Sequence, residues 1–251
     1  MNTKREVHAI STLKDYIKLR DKYMYMFAIM EQEGLPRDVK NYMIQMIHEV
    51  LPSYEIFNKD IDRMMEYLKL NNITLTLDAY YMLNFIVFIF LRKTLYDAKL
   101  IAEHRRAHIV NYNDVDYALG IYSRNEVGLI EDMKVGGMDA VASHESSDIR
   151  NKRLRANTIF TPTTVEKAMN MIIDIFKGPP KGTRKVYYDY ELKYNTKVPI
   201  YICGILDVFV ESILEKANHL KINDTFITSD DIYDAIKYND DLKLILLDIF
   251  L

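Results

Sequence analysis

One pattern occurs twice in this chain, and it constrains the fold more than any other feature. Ile109-Val110-Asn111-x-x-Asp114-Val115-x-x-Ala118-Leu119 is matched 117 residues later by Phe226-Ile227-Thr228-x-x-Asp231-Ile232-x-x-Ala235-Ile236. Each copy reads as a short extended apolar step, a capping residue and then an amphipathic helix. Each follows a long, largely apolar helical stretch. A repeated helix–strand–helix unit means two copies of one small module in a single polypeptide.

Periodicity fills in the rest. Residues 8–50 read as helical, with Tyr16, Leu19, Tyr23, Met26, Phe27 and Met30 forming one stripe and Val39, Met43, Met46, Ile47 and Val50 a second. Asn58 is expected to cap a short helix from Lys59 to Lys69. A long helix follows from about Thr76 to His104, and Asn111 caps a third helix with Asp114 in its first turn. A fourth helix is expected over Asn125 to Lys134, ended by Gly136-Gly137. Residues 139–158 read as a polar, arginine-bearing bridge. In the second half a short helix covers Val165 to Lys177, and a long loop spans Gly178 to Val198. A central helix then runs from Pro199 to about Lys221, and a short one from Thr228 to about Lys237. One short–long–short unit cannot bury both faces of its long helix. Two units crossing head to tail can.

Charge and cysteine content narrow the function. Lys plus Arg total 33 against 36 Asp plus Glu, a net charge of −3, which counts mildly against a nucleic-acid-binding chain. Cys203 is the only cysteine, so no internal disulfide forms and a reducing compartment is expected. Met1–Arg5 lead into polar sequence, so no secretory leader is expected. The longest apolar run, Ala79–Leu91, contains Asn84 and falls short of the roughly 20 residues of a membrane span. It reads as a buried core helix.

The residues of both halves resemble core histones. Met82-x-x-Phe85-Ile86-x-x-Ile89-Phe90 is similar to the central helix of histone 2B, and Arg92, Leu100, Arg105, Arg106 and Ile109 follow in step with that helix and its basic second loop. Arg155-Ala156-x-x-x-Phe160 resembles the lead-in to the histone 2A fold. Pro199-Ile200-Tyr201-Ile202-x-x-Ile205-Leu206-Asp207 resembles the start of its central helix. Ala235-Ile236-Lys237-x-Asn239-Asp240-Asp241-Leu242 resembles the end of its third helix. The chain therefore resembles a fused 2B–2A histone doublet of the kind associated with large DNA viruses.

The resemblance implies an all-α fold with two histone-fold units in tandem, forming an intramolecular handshake. The expected divisions are a helical extension over residues 1–56, a 2B-like fold over 57–138, a basic bridge over 139–158 and a 2A-like fold over 159–251. It further implies non-specific packaging of double-stranded DNA with a histone 3–4-like doublet or tetramer. The expected location is the virion and the host nucleus or viral replication site, or the nucleus for a cellular protein. No cofactor, membrane or small-molecule substrate is expected.

Histone-fold dimers hold DNA through paired loops and helix N-termini, which meet phosphate with basic side chains and backbone N–H groups. The candidates are Arg105, Arg106 and His108 in one loop and Lys221 in its counterpart. Lys181, Arg184 and Lys185 lie in the long loop, and Arg150, Lys152, Arg153 and Arg155 in the bridge. For each, the competing reading is a solvated surface charge. Asp207, Glu215, Asp240 and Asp241 match the family's acidic patch, and Ser212 stands where a further acid is expected, with Glu211 beside it as the candidate. The competing reading there is an ordinary charged face.

An enzyme is not expected. Gly178-Pro179-Pro180-Lys181-Gly182-Thr183 lacks the spacing of a phosphate loop, and Cys203 sits within an apolar helix. His104 and His108 are four apart without a metal-spaced carboxylate set, and His8, His48, His144 and His219 are scattered. The alternative is a histone-fold interaction or transcription subunit with weak or no DNA wrapping, which the acidic net charge favours.

Overall fold

The computed structural model describes residues 55–122, 128–148, 158–176, 193–221 and 225–246. The helical extension over 8–50, the bridge arginines Arg150, Lys152, Arg153 and Arg155, and the loop cations Lys181, Arg184 and Lys185 lie outside the described residues.

The chain is all-α apart from four two-residue strands among the described residues. In order come α1 (Asn58–Tyr67), β1 (Thr74–Leu75), α2 (Leu77–His104), β2 (Ile109–Val110), α3 (Tyr112–Tyr122) and α4 (Gly128–Asp148). Then come α5 (Pro162–Phe176), β3 (Lys193–Tyr194), α6 (Lys197–Leu220), β4 (Phe226–Ile227), α7 (Ser229–Lys237) and α8 (Asp240–Ile245). At 1.5 Å per residue the two long helices, α2 and α6, span about 42 and 36 Å. The chain divides into two compact units, one up to Ile89 and from Val210 onward, the other Phe90–Phe209. Each long helix contributes one part to each unit.

In the first unit, α1 buries Ile61, Met64 and Met65, an i, i+3, i+4 stripe. The expected cap at Asn58 does not form. The helix starts at Asn58 itself, with Phe57 in the cap position and no side-chain cap bond. Asn58 is used elsewhere because α2 is buried on every side from Tyr81 to Leu91, and Asn84 lies within that run. A buried amide needs partners. Asn84 Oδ1 accepts the Phe57 N–H at 2.8 Å, and its Nδ2 donates to Asn58 Oδ1 at 2.7 Å and Tyr80 O at 2.8 Å. β1 pairs in parallel with β4, Thr74 opposite Phe226 and Leu75 opposite Ile227. α7 starts with a capping box: the Thr228 hydroxyl accepts the Asp231 N–H, and Asp231 accepts the Thr228 N–H at 2.8 Å.

In the second unit, β2 pairs in parallel with β3, Ile109 opposite Lys193 and Val110 opposite Tyr194. α3 repeats the box of α7. Asn111 Oδ1 accepts the Asp114 N–H at 3.0 Å, and Asp114 accepts the Asn111 N–H at 2.8 Å. The sequence repeat is thus a repeat of one helix-starting device.

Gly136-Gly137 does not end α4. The helix runs on to Asp148, so the first ten residues of the expected bridge are helical. The glycines serve close packing instead. A Cβ at Gly204 would sit 2.5 Å from the Gly136 carbonyl carbon and 2.9 Å from Gly137 Cα. A Cβ at Gly137 would sit 2.6 Å from the Tyr201 ring. Helix α4 therefore meets the start of α6 backbone to backbone. Tyr201 donates from its hydroxyl to Asp116 at 2.7 Å, and burial with that carboxylate holds the phenol well above its usual pKa. Phe90 and Phe209 stack with centroids 4.4 Å apart. α6 begins two residues before the expected Pro199, which a first-turn proline allows because that turn's N–H groups have no intrahelical acceptor.

Candidate nucleic-acid interface

The loop between α2 and β2 is built by the end of α2. Ala107 N–H bonds back to Ala102 O and Arg106 N–H to Glu103 O, both at 2.9 Å. These are the paired bonds of a Schellman ending. They hold Arg106 in the left-handed region at φ 60, where glycine is the usual occupant. Arg106 and His108 are exposed, and neither side chain has a hydrogen-bond or ion-pair partner among the described residues.

Arg105 behaves differently. Its Nε donates to Asp114 Oδ1 and its Nη2 to Asp114 Oδ2, each at 2.6 Å, and Nη2 also donates to Ile109 O at 3.1 Å. The pairing with Asp114 raises the guanidinium pKa. Arg105 thereby ties the end of α2 to the capping box of α3, and its charge is largely answered within the fold.

Two cations that sequence reasoning passed over lie on the strand paired with this loop or just after it. Lys193 is exposed opposite Ile109. Lys197, in the first turn of α6, forms an ion pair with Glu145 of α4, which raises the lysine pKa and lowers that of the glutamate. Asn195 donates its N–H to Val110 O and accepts the Lys197 N–H at 3.0 Å. The signal that could have found Lys193 is strand pairing, and no pattern within residues 178–198 announces it.

Lys221, the counterpart candidate, lies in the first unit. Its Nζ donates to Asn218 Oδ1 at 2.6 Å and so folds back onto the last turn of α6. The paired strands there present Thr74, Thr225 and Phe226 as exposed residues, with Asp230 exposed in the first turn of α7.

The acidic candidates divide. Asp207 accepts the Ile159 N–H at 2.9 Å and the Phe160 N–H at 2.8 Å, so both carboxylate oxygens anchor the chain ahead of α5. Glu211 and Glu215 lie one turn apart on α6, and burial and then the Glu215 charge raise the Glu211 pKa. Asp240 and Asp241 open α8, which Asn239 caps.

Beside the α2–β2 loop a groove of about 590 Å³ is lined by Ile101, His104, Arg105, Asn111, Asn113, Asp114, Tyr117 and Ile121. Tyr96, Leu100, Tyr117 and Ile121 are exposed apolar residues of α2 and α3. Among the described residues no cluster of His, Cys, Asp and Glu could hold a metal ion, and no helix is long and apolar enough to cross a membrane. No protein-family model matches this chain, and no curated protein matches it.

Proposed function

We propose that this chain is a fused 2B–2A-like histone doublet, a DNA-packaging protein whose two halves pair as a histone dimer. The observation that carries the reading is reciprocal loop pairing. The strand before the first long helix pairs with the strand after the second, and the strand after the first pairs with the strand before the second. Matching capping boxes follow β2 and β4, the strands after the two long helices. Head-to-tail pairing of two short–long–short units would produce this connectivity, and hairpins local to each half would not.

In this reading the paired loops meet DNA phosphates without reading sequence. The exposed apolar residues Tyr96, Leu100, Tyr117 and Ile121 offer a face for a protein partner, for which a histone 3–4-like doublet or tetramer is the candidate. The setting would be a virion and its replication site, or a nucleus.

A second reading has one observation in its favour. Arg105 is committed to Asp114 and Lys197 to Glu145, which leaves less unanswered positive charge for phosphate. A histone-fold interaction or architectural subunit would suit such a surface. Nuclease digestion after mixing the chain with a histone 3–4 tetramer and random-sequence DNA separates the two. A discrete protected length that needs both proteins supports packaging. Absence of protection at low salt refutes it and leaves the interaction module.

A further inference from the structure

Helix α2 is covered on every side from Tyr81 to Leu91 and bare along one stripe beyond that run. Tyr96 is 48% exposed and Leu100 46%, and Ile101 and His104 continue the stripe at helical spacing. On α3, Tyr117 and Ile121 stand one turn apart, 68% and 47% exposed. The groove of about 590 Å³ has Ile101, His104, Tyr117 and Ile121 among its walls. All of these residues belong to the unit Phe90–Phe209. Four large apolar side chains left in water around one groove mark a protein interface.

We propose that the occupant of this face is a second copy of the chain, packed about a two-fold axis with the ends of α2 antiparallel. The patch is complementary to itself, as such an axis requires. Tyr96 and Leu100 precede His104 by about two turns and one turn, so an antiparallel copy lays them over the groove it offers in return. Charge repeats the relation. Half-buried Asp97 and exposed His104 are seven residues apart, farther than the i, i+4 spacing at which side chains of one helix meet. A two-fold axis through Leu100 and Ile101 brings Asp97 of each copy opposite His104 of the other. An imidazole donates an N–H to a carboxylate in either charge state. Asp97 also interacts within its own chain, and the bond remains open to it because a carboxylate accepts several. The inference stands apart from the packaging reading, which gives this face to a different protein when one is present.

The test is sedimentation velocity of the full chain alone, without DNA, over about two decades of concentration. The mass is expected to rise from the 29.6 kDa of one chain toward twice that. Leu100→Asp is expected to weaken dimerisation about ten-fold or more, by placing a charge in the apolar centre. Asp97→Lys and His104→Asp each remove the cross-copy bond and set like charges face to face, and each is expected to weaken it about ten-fold. Mixing those two variants is expected to restore a dimer, since both cross pairs then join a base to a carboxylate. Circular dichroism checks that each variant folds. Tyr117→Asp, at an exposed position of α3, carries the test with the same expected loss if Asp97→Lys folds poorly. A chain that stays monomeric throughout the range overturns the proposal. So does a dimer that survives Leu100→Asp, or a mixture of the two folded charge variants that stays monomeric. None of these outcomes touches the packaging reading, since neither DNA nor a partner is present.

Discussion

Arg105 holds Asp114 with two parallel bonds of 2.6 Å, and the same carboxylate accepts the Asn111 N–H that opens α3. One buried aspartate thus joins the end of α2 to the start of α3. Because both partners serve one network, their removal is not additive. Arg105→Ala and Asp114→Ala should each lower the melting temperature, and Asp114→Ala should do so more, since it also removes the capping box. The double variant should fall short of the sum of the two losses in a double-mutant cycle by urea denaturation. Full additivity would mean that the pair does not couple the two helices.

Arg106→Gly should move stability and DNA binding in opposite directions. At φ 60 a non-glycine residue is strained, and glycine should recover roughly 0.5–1 kcal/mol. The same change deletes an exposed cation, so DNA affinity should drop. A variant that melts lower than the parent would show that Arg106 contributes contacts that outweigh its strain.

Gly204→Ala should destabilise by about 3 kcal/mol, because its Cβ meets the Gly136 backbone, which cannot rotate away as a side chain could. Gly128→Ala is the control, since its Cβ would meet nothing within 4 Å. Thermal melts of the two variants should separate widely. Equal melting temperatures would mean that α4 and α6 do not meet at these glycines.

Asn84→Ala should cost roughly 2–3 kcal/mol, measured as a shift of the urea midpoint. It orphans the Phe57 N–H in a buried setting and opens a small void. Asn84→Leu should do no better, since shape alone does not satisfy that donor.

Glu211 is the place to read a pH effect. Its folded pKa is raised, so the folded state binds the proton more tightly than the unfolded state does. Its ionisation therefore costs stability as pH rises through the folded pKa, and the cost is absent below the ordinary glutamate pKa. Glu211→Gln should stabilise the chain at neutral pH, and that advantage should vanish on acidification through the glutamate range. An advantage that persists unchanged in acid would assign it to packing and not to charge.

The sequence alone determined the local machinery. The two capping boxes were legible at Asn111–Asp114 and Thr228–Asp231, because a cap needs only residues three apart on one chain. The buried run through Leu91 was legible in its apolar continuity. What sequence missed was each side chain's partner. Asn58 reads as a cap until Asn84, 26 residues away, takes its oxygen. Gly136-Gly137 reads as a helix stop until Gly204 shows that the missing Cβ atoms make room for another backbone. Arg105 reads as a phosphate contact from its loop position, whereas in the structure two of its three hydrogen bonds go to Asp114, and Asp207 reads as surface charge until two N–H groups claim its oxygens. Propensity and periodicity act over one or two turns, so the chain carries them openly. Which donor finally meets which acceptor depends on distances between segments far apart in sequence, and only the tertiary structure sets those distances.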